Sequence, residues 1–294
     1  NYGVAINAGS YAHYSDVFDG EGGRLTLDFY PLTYNLAVAK RQWSKDVKPM
    51  LACFEHWFGP YPWYEDGFKL IETPHLGMEH QSAVAYGNQF RMGYSGRDLS
   101  GTGHGLKWDF ITIHESAHEW WANHVTAADQ ADMWLHESFA NYAEGIYAEC
   151  HDGKAAGAEY IRGSRRNITN REPIIPAYGV NAEGSGDMYY KGGNMLHTIR
   201  QLVNDDTKWR GILRGLNATF RHRSSRLHTA RFLASDSTSS PVSGRSPARL
   251  SSRLTLPPTA EPPGAAPLRK AVAPWKTSTR SRNSAATNWR GRMP

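Results

Sequence analysis

The sequence predicts a mixed α/β (α+β) fold whose second half is mostly helical. Before residue 33, two short stretches alternate apolar and polar residues, as half-buried strands do. From Leu36 to Trp57, and again from Trp134 to Ile146, apolar residues recur at the three- and four-residue spacing of amphipathic helices. With 40% hydrophobic and 12% aromatic residues, the 294-residue chain can bury one or two cores.

The first third of the chain is expected to supply the strands. Residues 2–9 (YGVAINAG) and 24–30 (RLTLDFY) are predicted as two antiparallel strands, because a glycine-rich turn separates them. After the helix that begins at Leu36, residues 68–74 and 82–88 have the pattern of short strands. They flank LGMEHQ, so Glu79 is expected at the edge of a sheet, where its side chain can face a cleft.

The stretch Ile111–Asn123 reads ITIHESAHEWWAN and contains the pattern HExxH. On a helix, His114 and His118 project from one face and can reach a single metal ion. Glu115 then lies beside them, close to a water molecule that it can deprotonate. The alternative is that these residues form a solvent-exposed helix face.

A second helical pattern favours the metal site. Glu137 follows His118 after eighteen intervening residues and lies one step from the apolar stripe of its helix. A carboxylate buried there without a partner would cost several kcal/mol, and a cation removes that cost. The sequence therefore predicts one Zn²⁺ per chain, bound by His114, His118 and Glu137.

These motifs resemble those of the gluzincin zinc metallopeptidases of the aminopeptidase N type. HESAH and, eighteen residues later, Glu137 in WLHESFANY follow that family's pattern. Residues 76–81 (LGMEHQ) are similar to the family's GxMEN motif, and residues 189–192 (YYKG) are similar to its YxKG motif. The resemblance covers about residues 1–220 and implies a thermolysin-like zinc catalytic domain.

The resemblance implies a zinc-dependent aminopeptidase that acts on peptides with a free N-terminus. Glu115 would carry the proton, and Tyr189 would donate to the oxyanion, although the residues alone favour a packing role for Tyr189 and only the YxKG match indicates catalysis. Glu79 would pair with the substrate's α-ammonium. His80 stands where the motif has Asn, so it either donates a hydrogen bond or merely packs. The substrate-binding stretch implied in this way comprises Gly77, Met78, Glu79 and His80.

Further helices are predicted over residues 153–167 and 187–204. Asp187 is expected to cap the latter helix, which places Tyr189 in its first turn. Asn141 and Glu144 either orient the metal ligands or are solvated. Three residues that adjoin ligands in the sequence are not expected to bind the metal, because they point elsewhere on the helices: Glu119, His124 and His136.

Three regions are predicted along the chain. Residues 1–33 are expected to end an N-terminal β-sandwich, and residues 34–220 to form the catalytic domain. Residues 221–294 contain 14 Lys or Arg but 2 Asp or Glu, a net charge of +12, and are rich in Pro and Ser. They are predicted to be disordered. A basic interaction arm, a linker and a shifted reading frame all explain such a tail, and the abrupt change of composition favours the shifted frame.

Two other functions remain open: a thermolysin-type endopeptidase, and an inactive truncated metal-binding module that acts through its basic tail. No nucleic acid partner is expected, and the absence of an 18-residue apolar run predicts a soluble chain without a membrane span. The sequence begins at Asn1 without a signal-like segment, so we expect the natural start to be missing. The compartment and the oligomeric state stay open. Cys53 and Cys150 could pair, but separate burial of two small residues is favoured.

Overall fold

The structure, a computed structural model, describes residues 3–221 and 223–225. Within these residues the mixed α/β class with a mostly helical second half is confirmed. The predicted tail, apart from Arg221 and residues 223–225, lies outside the described residues, so its disorder stays a prediction. In the part of the chain described, no helix combines the length and the apolar character that a membrane span requires.

A five-stranded sheet underlies the first half of the chain. Its strands are β1 (Tyr14–Gly20), β2 (Gly23–Tyr30), β3 (Phe68–Glu72), β4 (Gly77–Met78) and β5 (Val84–Tyr86). Their spatial order is β1-β2-β3-β5-β4, with β2, β3 and β5 parallel and the two outer strands antiparallel to their neighbours. The predicted substrate-binding stretch begins in β4, which is an edge strand, as the sequence predicted. A separate two-stranded parallel sheet joins β6 (Val125–Ala127) to β7 (Arg223–Ser225).

The N-terminal hairpin differs from its prediction in one strand. The second strand and the turn lie where expected, but the first strand is β1 rather than residues 2–9. The tight turn decides this, because Gly20 pairs with Gly23 and leaves the residues directly before it to continue the ladder. Leu27 then pairs with Phe68 across β2 and β3. The predicted domain boundary at residue 33 thus falls within a single sheet.

The described residues form six α-helices, of which α3 is the central one. The helices are α1 (Leu36–Phe58), α2 (Phe110–Ala117), α3 (Trp134–Asp152), α4 (Lys154–Ser164), α5 (Asp187–Val203) and α6 (Asp206–Thr219). α3 is buried from Trp134 to Ala148, and its packing partners include α1, α2, α4 and α5. Because α3 is buried all round, its polar residues must find partners inside the protein.

Asp187 does not cap its own helix as predicted. It is the first residue of α5, and its carboxylate accepts hydrogen bonds from the backbone N–H groups of Thr169 (2.8 Å) and Asn170 (2.6 Å). The side chain therefore fixes the start of α5 to the loop that follows α4. Tyr189 still lies in the first turn of α5, as expected.

Cys53 and Cys150 form a disulfide bond between α1 and α3, so the expectation of two separate buried thiols was wrong. Each cysteine lies in a helical pattern, and the spacing within one helix does not show which residue of another helix faces it. Pairing depends on how α1 packs against α3. That contact is made by residues far apart in the sequence.

The disulfide closes a loop with a sequence separation of 97 residues. Replacing both cysteines by alanine should lower the free energy of unfolding by about 2–4 kcal/mol, mainly because the unfolded chain is released from this closure. Urea unfolding of the purified variant and parent measures the difference. Two thiols that react with a labelling reagent in the native, unreduced protein would contradict the pairing.

Candidate active site

The helix that carries the HExxH pattern is fixed at its N-terminus. Asp109 caps α2, because its carboxylate accepts from the backbone N–H groups of Ile111 (3.0 Å) and Thr112 (3.2 Å). The side chains of Tyr86 and Asn88 donate to the same buried carboxylate from the sheet side. Burial raises the pKa of Asp109 to about 7, and these hydrogen bonds oppose that rise. The first turn of α2 is thereby anchored to β5 and the loop that follows it.

The same helix ends earlier than predicted. α2 stops at Ala117, and residues 119–124 form a wide turn in which Trp121 and Ala122 have non-helical backbone angles. This break turns the Trp121 carbonyl towards the imidazole of His118, 3.1 Å from its Nδ1. Since a carbonyl can only accept, Nδ1 carries the hydrogen and Nε2 is left as the atom able to bind a metal.

The three predicted metal ligands converge. Oε2 of Glu137, in the first turn of α3, lies 3.4 Å from Nε2 of His114 and 3.4 Å from Nε2 of His118. All three residues are buried, and one ligand atom of each lies within 4.8 Å of the others. Among the described residues, this carboxylate oxygen has no well-formed hydrogen bond. Two imidazole nitrogens and one carboxylate oxygen in this arrangement fit a zinc ion.

The charge of Glu137 depends on its two imidazole neighbours. Burial raises the pKa of this carboxyl, but His118 and His114 lower it by more, so that it lies well below its usual range. An ionised carboxylate buried at this depth requires positive charge beside it, which either protonated imidazoles or a metal ion can supply.

Glu144 holds the first imidazole in place. Its Oε1 lies 2.7 Å from Nδ1 of His114, so the imidazole presents Nε2 to Glu137. Its Oε2 accepts from the hydroxyl of Tyr160 (2.8 Å) and from the side-chain amide of Asn141 (3.1 Å). Both Asn141 and Glu144 are 1% exposed, so the solvated alternative considered for them does not hold. A carboxylate behind a histidine in this way fixes its tautomer and its orientation.

Glu115 faces a cavity of about 630 Å³, whose wall also carries Glu79 and Tyr189. One side-chain atom each of Glu79, Glu115 and His118 lies within 4.8 Å of the others. Burial raises the pKa of Glu115 to about 7. A carboxyl group with this pKa can both take up and return a proton near neutral pH.

A glycine on β4 makes this arrangement possible. A Cβ atom added at Gly77 would lie 2.6 Å from Oε1 of Glu115 and 2.8 Å from Cγ2 of Ile111. Only a residue without a side chain lets the edge strand approach α2 so closely. Gly77 therefore sets the distance between the stretch that carries Glu79 and the helix that carries Glu115.

Tyr189 approaches the site from α5. Its ring stacks on that of His114, with centroids 6.1 Å apart. The close packing of α5 on α3 depends on Gly192, because a Cβ there would lie 1.8 Å from Oγ of Ser138. Burial, followed by the nearby carboxylates Glu137 and Glu115, raises the pKa of Tyr189. Its hydroxyl therefore keeps its proton and can donate it in a hydrogen bond.

Four other residues named from the sequence lie around this centre. His80 packs edge-on against the ring of His75 and, among the described residues, is not part of the cavity wall, unlike Gly77, Met78 and Glu79. His136 lies in the cavity wall but accepts a hydrogen bond from the backbone N–H of Ala127. The buried Glu119 and His124 contact Ser82 and Asn217, respectively. Two wall segments, residues 126–130 and Glu183, carry no sequence motif and were not anticipated.

Residues 44–235 match the peptidase family M1 domain. The chain belongs to peptidase family M1. The resemblance to aminopeptidases of the aminopeptidase N type is therefore confirmed, and both helices of the candidate metal site lie within the matched range.

Named relatives of this M1 chain include aminopeptidases. Human aminopeptidase B is 27% identical over 205 residues, which cover 64% of this chain and 30% of that protein. Aminopeptidase N of Lactobacillus helveticus is 29% identical over 167 residues, covering 51% and 20%, respectively. The chain thus spans about a third or less of the curated relatives that it matches.

Solved structures share the fold of this chain. A zinc metallopeptidase from Deinococcus radiodurans, bound to a Tyr-Ser-Ala substrate, superposes with a TM-score of 0.61 at 19% identity, covering 78% of this chain and 49% of that one. Leukotriene A4 hydrolase from Saccharomyces cerevisiae gives a TM-score of 0.56 at 17% identity, with coverages of 76% and 35%. These likenesses confirm the thermolysin-like catalytic fold.

Replacing Glu144 by alanine should weaken zinc binding about 10–100-fold, because His114 loses the carboxylate that orients it. Competition with a chelating dye measures the affinity. The matched control is Glu149→Ala, since Glu149 lies on the same helix and its carboxylate pairs with Arg200 away from the site. Equal zinc affinities of the two variants would show that Glu144 does not support the metal site.

Proposed function

We propose that this chain is the catalytic core of a zinc-dependent aminopeptidase, which removes residues from the free N-terminus of peptides. One observation carries the proposal: Glu79 faces Glu115 and His118 in the cavity onto which the three candidate metal ligands open. Membership of family M1 and the aminopeptidases among the relatives support it.

His114, His118 and Glu137 would hold the zinc ion. Bound there, zinc supplies a Lewis acid that lowers the pKa of a water molecule and polarises the scissile carbonyl. The buried position of the three ligands excludes bulk solvent from one side of the site, while the cavity leaves the other side open to substrate.

Glu115 is proposed as the carrier of the proton. It adjoins the ligand His114 in sequence and faces the cavity, so it can accept a proton from the attacking water and return it to the leaving amine. A pKa near 7 suits both transfers. A purely structural metal site needs no such group, which favours an enzyme over an inactive metal-binding module.

Tyr189 is proposed to stabilise the oxyanion that forms as water attacks. Its hydroxyl stays protonated, and its ring is fixed against His114 by the packing of α5 on α3. A fixed donor helps the reaction because it need not reorient as charge develops.

Glu79 is proposed to bind the α-ammonium of the substrate. None of the described residues in the cavity wall is a lysine or an arginine, and the wall carries five carboxylates, those of Glu79, Glu115, Asp129, Glu137 and Glu183. A substrate ammonium supplies positive charge at this position. By binding the first residue of a peptide, Glu79 would place the first peptide bond beside Glu115. A thermolysin-type endopeptidase, the second candidate, has no use for this group.

Glu115→Gln should lower kcat at least about a hundredfold on aminoacyl anilides while zinc remains bound, because the variant loses the proton carrier but no metal ligand. Steady-state kinetics and metal analysis of the same sample test both points. Retained turnover with a full complement of zinc would assign the proton transfer to another group.

Glu79→Gln should lower kcat/KM on unblocked aminoacyl anilides about 10–100-fold, with little change on N-acetylated peptides, because the ion pair with the α-ammonium is lost. Glu72→Gln serves as the control, since Glu72 is also a buried carboxylate of the sheet but contacts Leu32 and Asn35 instead. Should the Glu79 variant cleave free and acetylated peptides as the parent does, the endopeptidase alternative would replace this proposal.

A further inference from the structure

The turn that directly follows Glu79 depends on contacts from outside itself. It follows β4, a strand of two residues, and closes with a hydrogen bond from the backbone N–H of Ala83 to the carbonyl of His80 (3.0 Å). Ser82 within it has a φ of +59°, a left-handed conformation that a residue with a side chain seldom adopts. Such a backbone persists only where neighbouring groups hold it.

Glu119 is one of these neighbouring groups. It is fully buried, and its Oε1 accepts a hydrogen bond of 2.7 Å from the backbone N–H of Ser82, the residue in the left-handed conformation. Its Oε2 accepts from the side-chain amide of Asn123 at 3.3 Å. Glu119 follows His118 directly, so this contact joins the turn after Glu79 to the segment that carries one of the candidate metal ligands.

Asn123 makes the second connection. Its Nδ2 donates to the backbone carbonyl of Glu79 at 2.9 Å, and its own backbone N–H donates to the carbonyl of His118 at 3.0 Å. The side chain of Asn123 therefore contacts Glu79, the residue proposed to bind the substrate amine, while the backbone of Asn123 contacts His118, a candidate metal ligand. The wide turn over residues 119–124, which ends α2 early, is what places Asn123 there.

We propose that Glu119 and Asn123 are positioning residues that fix Glu79 relative to the metal ligands, and so determine which peptide bond the site can reach. The inference rests on the proposed aminopeptidase function. Its physical basis is that an ammonium held at the wrong distance misplaces the scissile bond, and a displacement of about 1 Å can cost roughly a hundredfold in rate. The hydrogen bonds to the Glu79 carbonyl and to Ser82 N–H are the contacts that prevent this displacement.

The experiment measures binding of two metal-directed probes, L-leucine hydroxamate and N-acetyl-L-leucine hydroxamate, to the zinc-loaded chain. The ratio of their affinities reports the site for the α-ammonium and needs no turnover. In Asn123→Ala this ratio should fall about tenfold, while zinc content and the affinity for the acetylated probe change less than about twofold. An unchanged ratio in a folded, zinc-loaded variant overturns the inference.

Asn167→Ala is the matched control. The side chain of Asn167 is also half-buried and also donates to a backbone carbonyl, that of Leu99, at 2.8 Å. Its removal should leave the affinity ratio unchanged. A similar fall in both variants would show that loss of any such hydrogen bond loosens the site, and that Asn123 has no special role.

Glu119→Gln tests the other residue, and it keeps the inference testable if Asn123→Ala does not fold. It retains an oxygen for the N–H of Ser82 but presents an NH₂ group to the amide of Asn123, so the ratio should fall by a smaller factor of about threefold. Because a hydrogen bond links Glu119 to Asn123, the affinity ratio of the double variant should be close to that of Asn123→Ala. A ratio in the double variant that is as high as in the parent would overturn the inference.

The outcomes also separate this inference from the proposed function. A parent chain that binds both probes equally lacks the amine site, and the aminopeptidase proposal fails together with this inference. A parent that prefers the free amine, with variants that keep the preference, leaves the function standing and removes only the positioning role.

Discussion

The structure depends on one buried contact, in which the carboxylate of Glu137 meets the imidazoles of His114 and His118 at 3.4 Å each. Neither α2 nor α3 could bury these groups alone, because an ionised carboxylate inside a protein costs several kcal/mol without a compensating charge. The packing of α2 on α3 and the binding of a cation are therefore coupled. The Asp109 cap fixes the start of α2, and the Glu144 carboxylate fixes the imidazole of His114.

The cavity beside this contact combines elements that are distant in the sequence. The edge strand β4 approaches α2 because Gly77 has no side chain, and α5 approaches α3 because Gly192 has none. The first close approach brings Glu79 to the cavity wall, and the second brings Tyr189 there. The spacing between the proposed amine site and the metal ligands is thus set by backbone contacts rather than by the reacting side chains themselves.

Much of this site could be predicted, because its signals are local. The spacing of His114 and His118 defines a helix face, and the apolar stripe around Glu137 defines a second helix, whichever partners they find. The glycine-containing stretch between two strand patterns likewise indicated an edge for Glu79. The roles assigned to these residues remain predictions that the experiments above address.

The features that were missed depend on contacts between distant segments. The disulfide of Cys53 and Cys150 follows from how α1 packs on α3, and no pattern within either helix contains that information. The contact of the Trp121 carbonyl with His118 depends on the backbone break that ends α2, and the partners of Asp187 lie in a loop almost twenty residues earlier. The first strand was predicted at residues 2–9 because apolar and polar residues alternate there, whereas the residues that pair with β2 are those of β1.

X-ray absorption at the zinc edge, recorded on the purified chain, tests the central contact most directly. We expect about one zinc ion per chain, with two imidazole nitrogens at about 2.0–2.1 Å and carboxylate oxygen completing the protein ligands. In Glu137→Gln the carboxylate contribution should disappear or the zinc should be lost. Sulfur in the coordination sphere, or a spectrum that the Glu137 variant leaves unchanged, would contradict this expectation.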